Sequence, residues 1–217
     1  MPKVLIVAAT KQEITPLLQY YSIVATGEGL FMAQSGDELA VLITGVGMVN
    51  TAFQMGRISQ TTFDYVLNLG IAGAFNRTIK LGEVVNVEED TIAEMGAEAG
   101  TDFIKYADLN LGGTNIYKNA SNLNNPHIAK LRAVRAITVN KVHGNEASIK
   151  KTVELYHPDI ESMEGAAFMC SAPFISTSYI QLRAISNYVE KRDKSKWDIT
   201  LAVKNLNALA LELIQAL

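Results

Sequence analysis

Unbroken runs of aliphatic residues alternate along the chain with stretches whose apolar positions recur every three or four residues. Residues 3–9 hold the first run, centred on Val4-Leu5-Ile6-Val7. A run without polar alternation marks a strand buried on both faces. Residues 11–21 place Ile14, Leu17, Leu18 and Tyr21 at helical spacing. Residues 22–25, 30–34 and 39–44 predict strands, the last two joined by a hairpin turn at Ser35-Gly36-Asp37. Gly45-Val46-Gly47 leads into a predicted helix over 48–60. A strand over 65–69 runs into the small-residue turn Gly70-Ile71-Ala72-Gly73-Ala74. Further strands are predicted at 83–87, 133–139, 159–163 and 178–184, with helices at 145–156, 165–171 and 199–217. Residues 91–125 have weak periodicity and many Gly and Asn residues, so they read as a long excursion. Loops of that length serve as lids, binding loops or interface elements. Strands alternating with helices predict one three-layer α/β/α domain around a mixed central sheet.

Composition narrows the partners. The 217 residues are 48% hydrophobic and 19% charged with a net charge of −3, which suits a folded chain and leaves no basic footprint for nucleic acid. No segment is apolar for long enough to span a bilayer. Met1-Pro2-Lys3 enters the first strand without a signal-peptide pattern. The single cysteine, Cys170, cannot form an internal disulfide; it is expected in the core of a cytoplasmic protein.

Several short motifs have both a structural and a chemical reading. Thr10-Lys11-Gln12-Glu13 fits a capping box, but it also puts a carboxylate after a strand, where it can activate water. Gly45-Val46-Gly47 has two glycines of a dinucleotide fingerprint without the third, and follows a hairpin, so close backbone packing is the better reading. The Gly70–Ala74 segment allows close approach of a flat ligand or of another backbone. His127, His143 and His157 lack metal-site spacing, although His143 follows a predicted strand and can line a cleft. There is no Gly-x-Ser-x-Gly elbow. Glu164, in Ser162-Met163-Glu164-Gly165-Ala166-Ala167, is either a helix N-terminal acid or a functional carboxylate at a strand end. Ser186-Asn187 closes the next predicted strand. Ligands of open α/β sheets gather at such carboxyl ends.

These segments together resemble the nucleoside phosphorylase and nucleosidase superfamily. The match runs in order through Glu13, Thr44–Asn50, Asn68–Gly73, Gly82–Val85, Ser162–Ala167 and Arg183–Asn187. The resemblance implies a nucleoside phosphorylase-like fold with a partly closed barrel, a homo-oligomer, and a small purine nucleoside as substrate, with no metal or organic cofactor. It further implies that Glu164 holds the ribose hydroxyls, Met163 packs on the ribose, and Ile71, Ala72 and Gly73 edge the base. Glu13 would orient and deprotonate water. Ser186 would orient its loop, and His143 would line the pocket.

Two departures sharpen that picture. The phosphorolytic branch needs arginine near the first strand, where this chain has only Lys11; water is therefore the expected nucleophile. Where adenine-releasing nucleosidases carry Asp after the Ser, this chain has Asn187. An amide donates toward the O6 and N7 of a 6-oxopurine, and a mismatched edge costs roughly 1–3 kcal/mol per buried unpaired group. Ser-Met-Glu-Gly-Ala-Ala with Arg183-Ala-Ile-Ser-Asn-x-Val-Glu-x-Arg192 is most similar to the futalosine hydrolase family, which releases hypoxanthine from futalosine in menaquinone synthesis. The carboxylated aromatic 5′ group of that substrate calls for a cation, with Lys105, Lys118, Arg132 and Arg192 as candidates.

Overall fold

The first strand, β1 (Val4–Ala8), is buried at all five positions because it lies between two parallel neighbours. The computed structural model describes residues 2–33, 38–120 and 125–217, so the expected turn at Ser35-Gly36-Asp37 falls outside the described residues. A single 3-10 turn, Gln12–Ile14, leads into α1 (Thr15–Tyr20). Residues 22–25 form no strand, against expectation. Ser22 takes a left-handed φ of 52°, its N–H returns to the Gln19 carbonyl and that of Ile23 to Leu18. The segment closes the helix in a Schellman arrangement, which overrides its local β pattern.

β2 (Gly29–Met32) pairs antiparallel with β3 (Leu39–Ile43), and α2 (Met48–Arg57) follows. The strand predicted at 65–69 is twice that length. β4 (Tyr65–Ala74) continues through Gly70-Ile71-Ala72-Gly73, so those residues are strand and not a turn. β5 (Val84–Ile92) comes next. The supposed excursion is structured: β6 (Gly96–Ala99) and β7 (Asp102–Lys105) form a hairpin, a 3-10 turn follows, and β8 (Ile116–Lys118) joins the side of β5. Strands of three or four residues carry too few apolar positions to show a period. α3 (Pro126–Ala129), β9 (Arg132–Thr138), α4 (Glu146–Tyr156), β10 (Ile160–Ser162), α5 (Gly165–Ser171), β11 (Tyr179–Tyr188) and α6 (Ile199–Gln215) complete the chain.

The sheet order is β10-β9-β5-β11-β4-β1-β3-β2, and β10 also pairs antiparallel with β4. Strands β4, β11, β5, β9 and β10 therefore close a small barrel at one end of a mixed sheet. Alternate residues of β1 serve opposite layers. Leu5 and Val7 join a core with Met55 of α2 and Phe168 of α5, whereas Val4, Ile6 and Ala8 join one with Leu17 of α1 and Ala202, Leu206 and Ala210 of α6. The layers are α/β/α, as the alternation of elements implies. Cys170 is exposed, not core, because α5 buries Gly165 through Met169 and turns the next position outward. No helix among the described residues is long and apolar enough to cross a membrane.

Candidate active site

β11 makes the site possible by an irregularity. It pairs Ile185 with Ala72 and then Asn187 with Gly73, leaving Ser186 as an extra, bulged residue. A bulge re-aims side chains without ending the ladder. Asn187 is thus still paired, one residue before the strand ends at Tyr188. The Ser186 hydroxyl lies 2.8 Å from Asn187 Oδ1 and 3.3 Å from the Ala72 carbonyl, and Asn187 Nδ2 donates to the Tyr188 carbonyl at 3.1 Å. The reverse amide orientation would set Oδ1 against that carbonyl oxygen, lone pair to lone pair. The network therefore leaves one Nδ2 proton for a ligand.

Glu13 is fixed by three donors. The Thr10 N–H and hydroxyl each reach Oε2 at 2.9 Å, and the Ile71 N–H reaches Oε1 at 3.1 Å. Half of the expected capping box is present; the threonine hydroxyl gives its proton to the carboxylate instead of accepting one from the helix. The bond from β4 ties Glu13 to the strand that carries Ile71, Ala72 and Gly73.

Glu164 follows β10 as the N-cap of α5 and accepts the Gly47 N–H at 2.8 Å. Gly47 has φ 99°, a conformation natural to glycine. The Gly45-Val46-Gly47 motif is thus a backbone donor to an acid, not a dinucleotide cradle. Burial pushes the Glu164 carboxyl above its ordinary range and the Glu13 charge adds to this, while Arg183 and the Gly47 N–H oppose it.

Beneath these acids Arg183 is buried, its Nη2 donating to Asn68 Oδ1 at 2.6 Å and its Nη1 to the Leu182 carbonyl at 3.0 Å. Burial lowers its affinity for the proton, and Glu164, Glu13 and Asp90 raise it. Asp90, also buried, accepts from Gln181 Nε2 at 2.9 Å and from Thr138 Oγ1 at 2.7 Å. Desolvation nonetheless carries its carboxyl up to about 6. A Cβ on Gly165 would stand 2.1 Å from Asp90 Oδ2, so the glycine after Glu164 is what allows this network to pack under α5.

A cavity of about 440 Å³ brings the nine residues expected from sequence together: Glu13, Ile71, Ala72, Gly73, His143, Met163, Glu164, Ser186 and Asn187 all line it. Of the four candidate cations only Arg192 does, with its guanidinium 4.9 Å from the centre of the Trp197 ring. Lys118 faces Glu89, Arg132 faces Glu83, and Lys105 lies over Tyr156. Sequence reasoning missed Glu161 and Trp197. The signal for Glu161 was an acid in the middle of a short apolar strand. Among the described residues no group of three or more His, Cys, Asp and Glu is arranged to hold a metal ion.

Known proteins agree with this architecture. The futalosine hydrolase of Thermus thermophilus is 29% identical over 169 residues, 75% of this chain and 75% of that protein. The native structure of futalosine hydrolase of Helicobacter pylori superposes with a TM-score of 0.81 at 16% identity, over 100% of this chain and 98% of that one. The 5′-methylthioadenosine/S-adenosylhomocysteine nucleosidase of Neisseria meningitidis, in complex with methylthio-immucillin-A, gives 0.80 at 18% identity over 100% of both chains. At such identities the structural likeness speaks for the fold. The sequence model of the phosphorylase superfamily matches residues 3–215, and the chain belongs to that superfamily.

Proposed function

We propose that this protein hydrolyses the N-glycosidic bond of a 6-oxopurine nucleoside, with futalosine as substrate and hypoxanthine and dehypoxanthine futalosine as products. The observation that carries the reading is the gathering of Glu13, Glu164 and the Asn187 amide around one cavity. The similarity to named futalosine hydrolases supports it.

In this reading Glu13 takes a proton from the attacking water as the C1′–N9 bond breaks. Glu164 accepts from the 2′- and 3′-hydroxyls, and Met163 covers the ribose. Positive charge builds on the ribosyl ring in an oxocarbenium-like transition state, and electrons pass to the departing base. Asn187 Nδ2 donates to the base where that charge collects, an interaction stronger in the transition state than in the substrate. Water is favoured over phosphate because four carboxylates, Glu13, Glu161, Glu164 and Glu190, line the cavity against two cations, Lys191 and Arg192, and Lys11 is the only cation in the loop after β1. Arg192, over the Trp197 ring, receives the carboxylated 5′ substituent. These residues need neither metal nor organic cofactor for this chemistry.

The reading extends to a homo-oligomer in the cytoplasm. α2 exposes Val49 and Phe53 close in sequence to Val46, which lines the cavity, an apolar face suited to a second copy. Assay with futalosine, inosine and methylthioadenosine tests the substrate: release of hypoxanthine from the first supports the reading, and release of adenine alone rejects it.

A further inference from the structure

Glu161 is 4% exposed, and carboxylates are that deeply buried almost only when paired. Its partner is His143. The His143 N–H donates to Oε1 at 3.0 Å, Nδ1 lies 2.6 Å from Oε2, and Nε2 lies 2.9 Å from Thr152 Oγ1. Both ring nitrogens of His143 are thus engaged within the protein. A buried carboxylate–imidazole pair adds little net stability over an apolar pair of similar volume, so the fold alone gives weak reason for one here. Yet Glu161 lines the cavity.

Strand register shows what it faces. Gly73 of β4 pairs with Glu161 of β10 on one side and with Asn187 of β11 on the other. Residues paired across neighbouring strands project to the same face of a sheet. A carboxylate, an absent side chain and an amide therefore stand in a row. A Cβ on Gly73 would lie 3.0 Å from Val189 Cγ2, 3.1 Å from Asn187 Nδ2 and 3.7 Å from Glu161 Cγ. The glycine thus lets a donor and an acceptor come close together, and all three residues line the same cavity. A carboxylate offers about four lone-pair sites, and His143 occupies two, leaving acceptor capacity for a ligand in the cavity.

We infer that Glu161 is a specificity-determining residue that accepts the ring N1–H of a 6-oxopurine, held in place by His143 and Thr152 as positioning residues. The inference rests on the nucleosidase reading above and assigns the part of the base that Asn187 does not reach. A 6-oxopurine offers acceptors at O6 and N7 and a donor at N1. The Asn187 amide and the Glu161 carboxylate complement that edge. Adenine would turn a bare N1 lone pair toward the carboxylate, so the pair selects by repulsion as well as attraction.

The test is calorimetric titration of hypoxanthine, 1-methylhypoxanthine and adenine into wild-type protein and the Glu161→Ala, Glu161→Gln and His143→Ala variants. The methyl group removes the N1–H and leaves O6 and N7. Wild type should bind hypoxanthine at least about tenfold more tightly than 1-methylhypoxanthine, the scale of one hydrogen bond to a charged group. Glu161→Ala should bring the two affinities to within about threefold, as expected once that bond is gone. Glu161→Gln, which keeps the shape should the alanine variant not fold, should narrow the ratio in the same direction. His143→Ala should narrow it too, with 1-methylhypoxanthine affinity kept; an equal loss for both bases would make His143 merely structural and overturn its positioning role. An unchanged ratio in the Glu161 variants, with wild type still preferring hypoxanthine to adenine, overturns the Glu161 assignment alone. A wild type that binds adenine more tightly, or binds neither base, overturns the 6-oxopurine reading beneath it.

Discussion

Ile71 donates its backbone N–H to Glu13, 58 residues earlier in the chain, at 3.1 Å. That bond fastens the acid after the first strand to the strand that lines the cavity with Ile71, Ala72 and Gly73, and the two Thr10 donors leave the carboxylate little freedom. Glu13→Gln keeps the shape and removes the base. Turnover should fall about 10²- to 10⁴-fold, the usual worth of a general base, with thermal unfolding shifted by only a few degrees. Steady-state kinetics beside a melting curve checks both; near-wild-type turnover would remove Glu13 from the mechanism.

Asn187→Asp should shift base preference toward adenine nucleosides. The Asp can accept from the 6-amino group and carry a proton toward N7, while its lone pairs oppose O6. The ratio of kcat/KM for methylthioadenosine over futalosine should rise at least about tenfold, one buried mismatch in energy. An unmoved ratio would mean that the amide does not read the base.

Arg192→Ala tests the far end of the substrate. Loss of a charge-assisted contact with the 5′ carboxylate should lower kcat/KM for futalosine about tenfold, a discounted figure because the arginine is exposed. Inosine, which lacks that group, should be turned over unchanged. Equal losses on the two substrates would place Arg192 elsewhere in the mechanism.

Asp90 gives the fold a pH signature. Its folded carboxyl titrates at about 6 against an ordinary 3.8, so between those values the native state holds a proton that the unfolded state has released. The stability it contributes is present below about pH 4 and lost as pH rises through about 6. Urea unfolding of wild type and Asp90→Asn should therefore show wild type losing on the order of 3 kcal/mol relative to the variant across that window. A pH-independent difference would contradict the shift.

Much of this was legible in the sequence. Continuous apolar runs such as Val4–Ala8 announced strands buried on both faces, and the acids at Glu13 and Glu164 stood where strands end. What escaped depended on tertiary pairing. Gly70 to Gly73 looks like a turn until β11 pairs with it, and nothing in Ser186-Asn187 announces the bulge that sets Asn187 opposite Gly73. Residues 22–25 are β-like in composition but close a helix through Ser22. The role of Glu161 needed the register of three strands that are distant in the chain.

The proposed reaction is hydrolysis of a 6-oxopurine nucleoside by water. Its most direct test is incubation with futalosine in phosphate-free buffer and again with phosphate, with the products identified by mass. Equal release of hypoxanthine and dehypoxanthine futalosine in both is the predicted result. Release that requires phosphate and yields a sugar 1-phosphate, or no hypoxanthine at all, would contradict it.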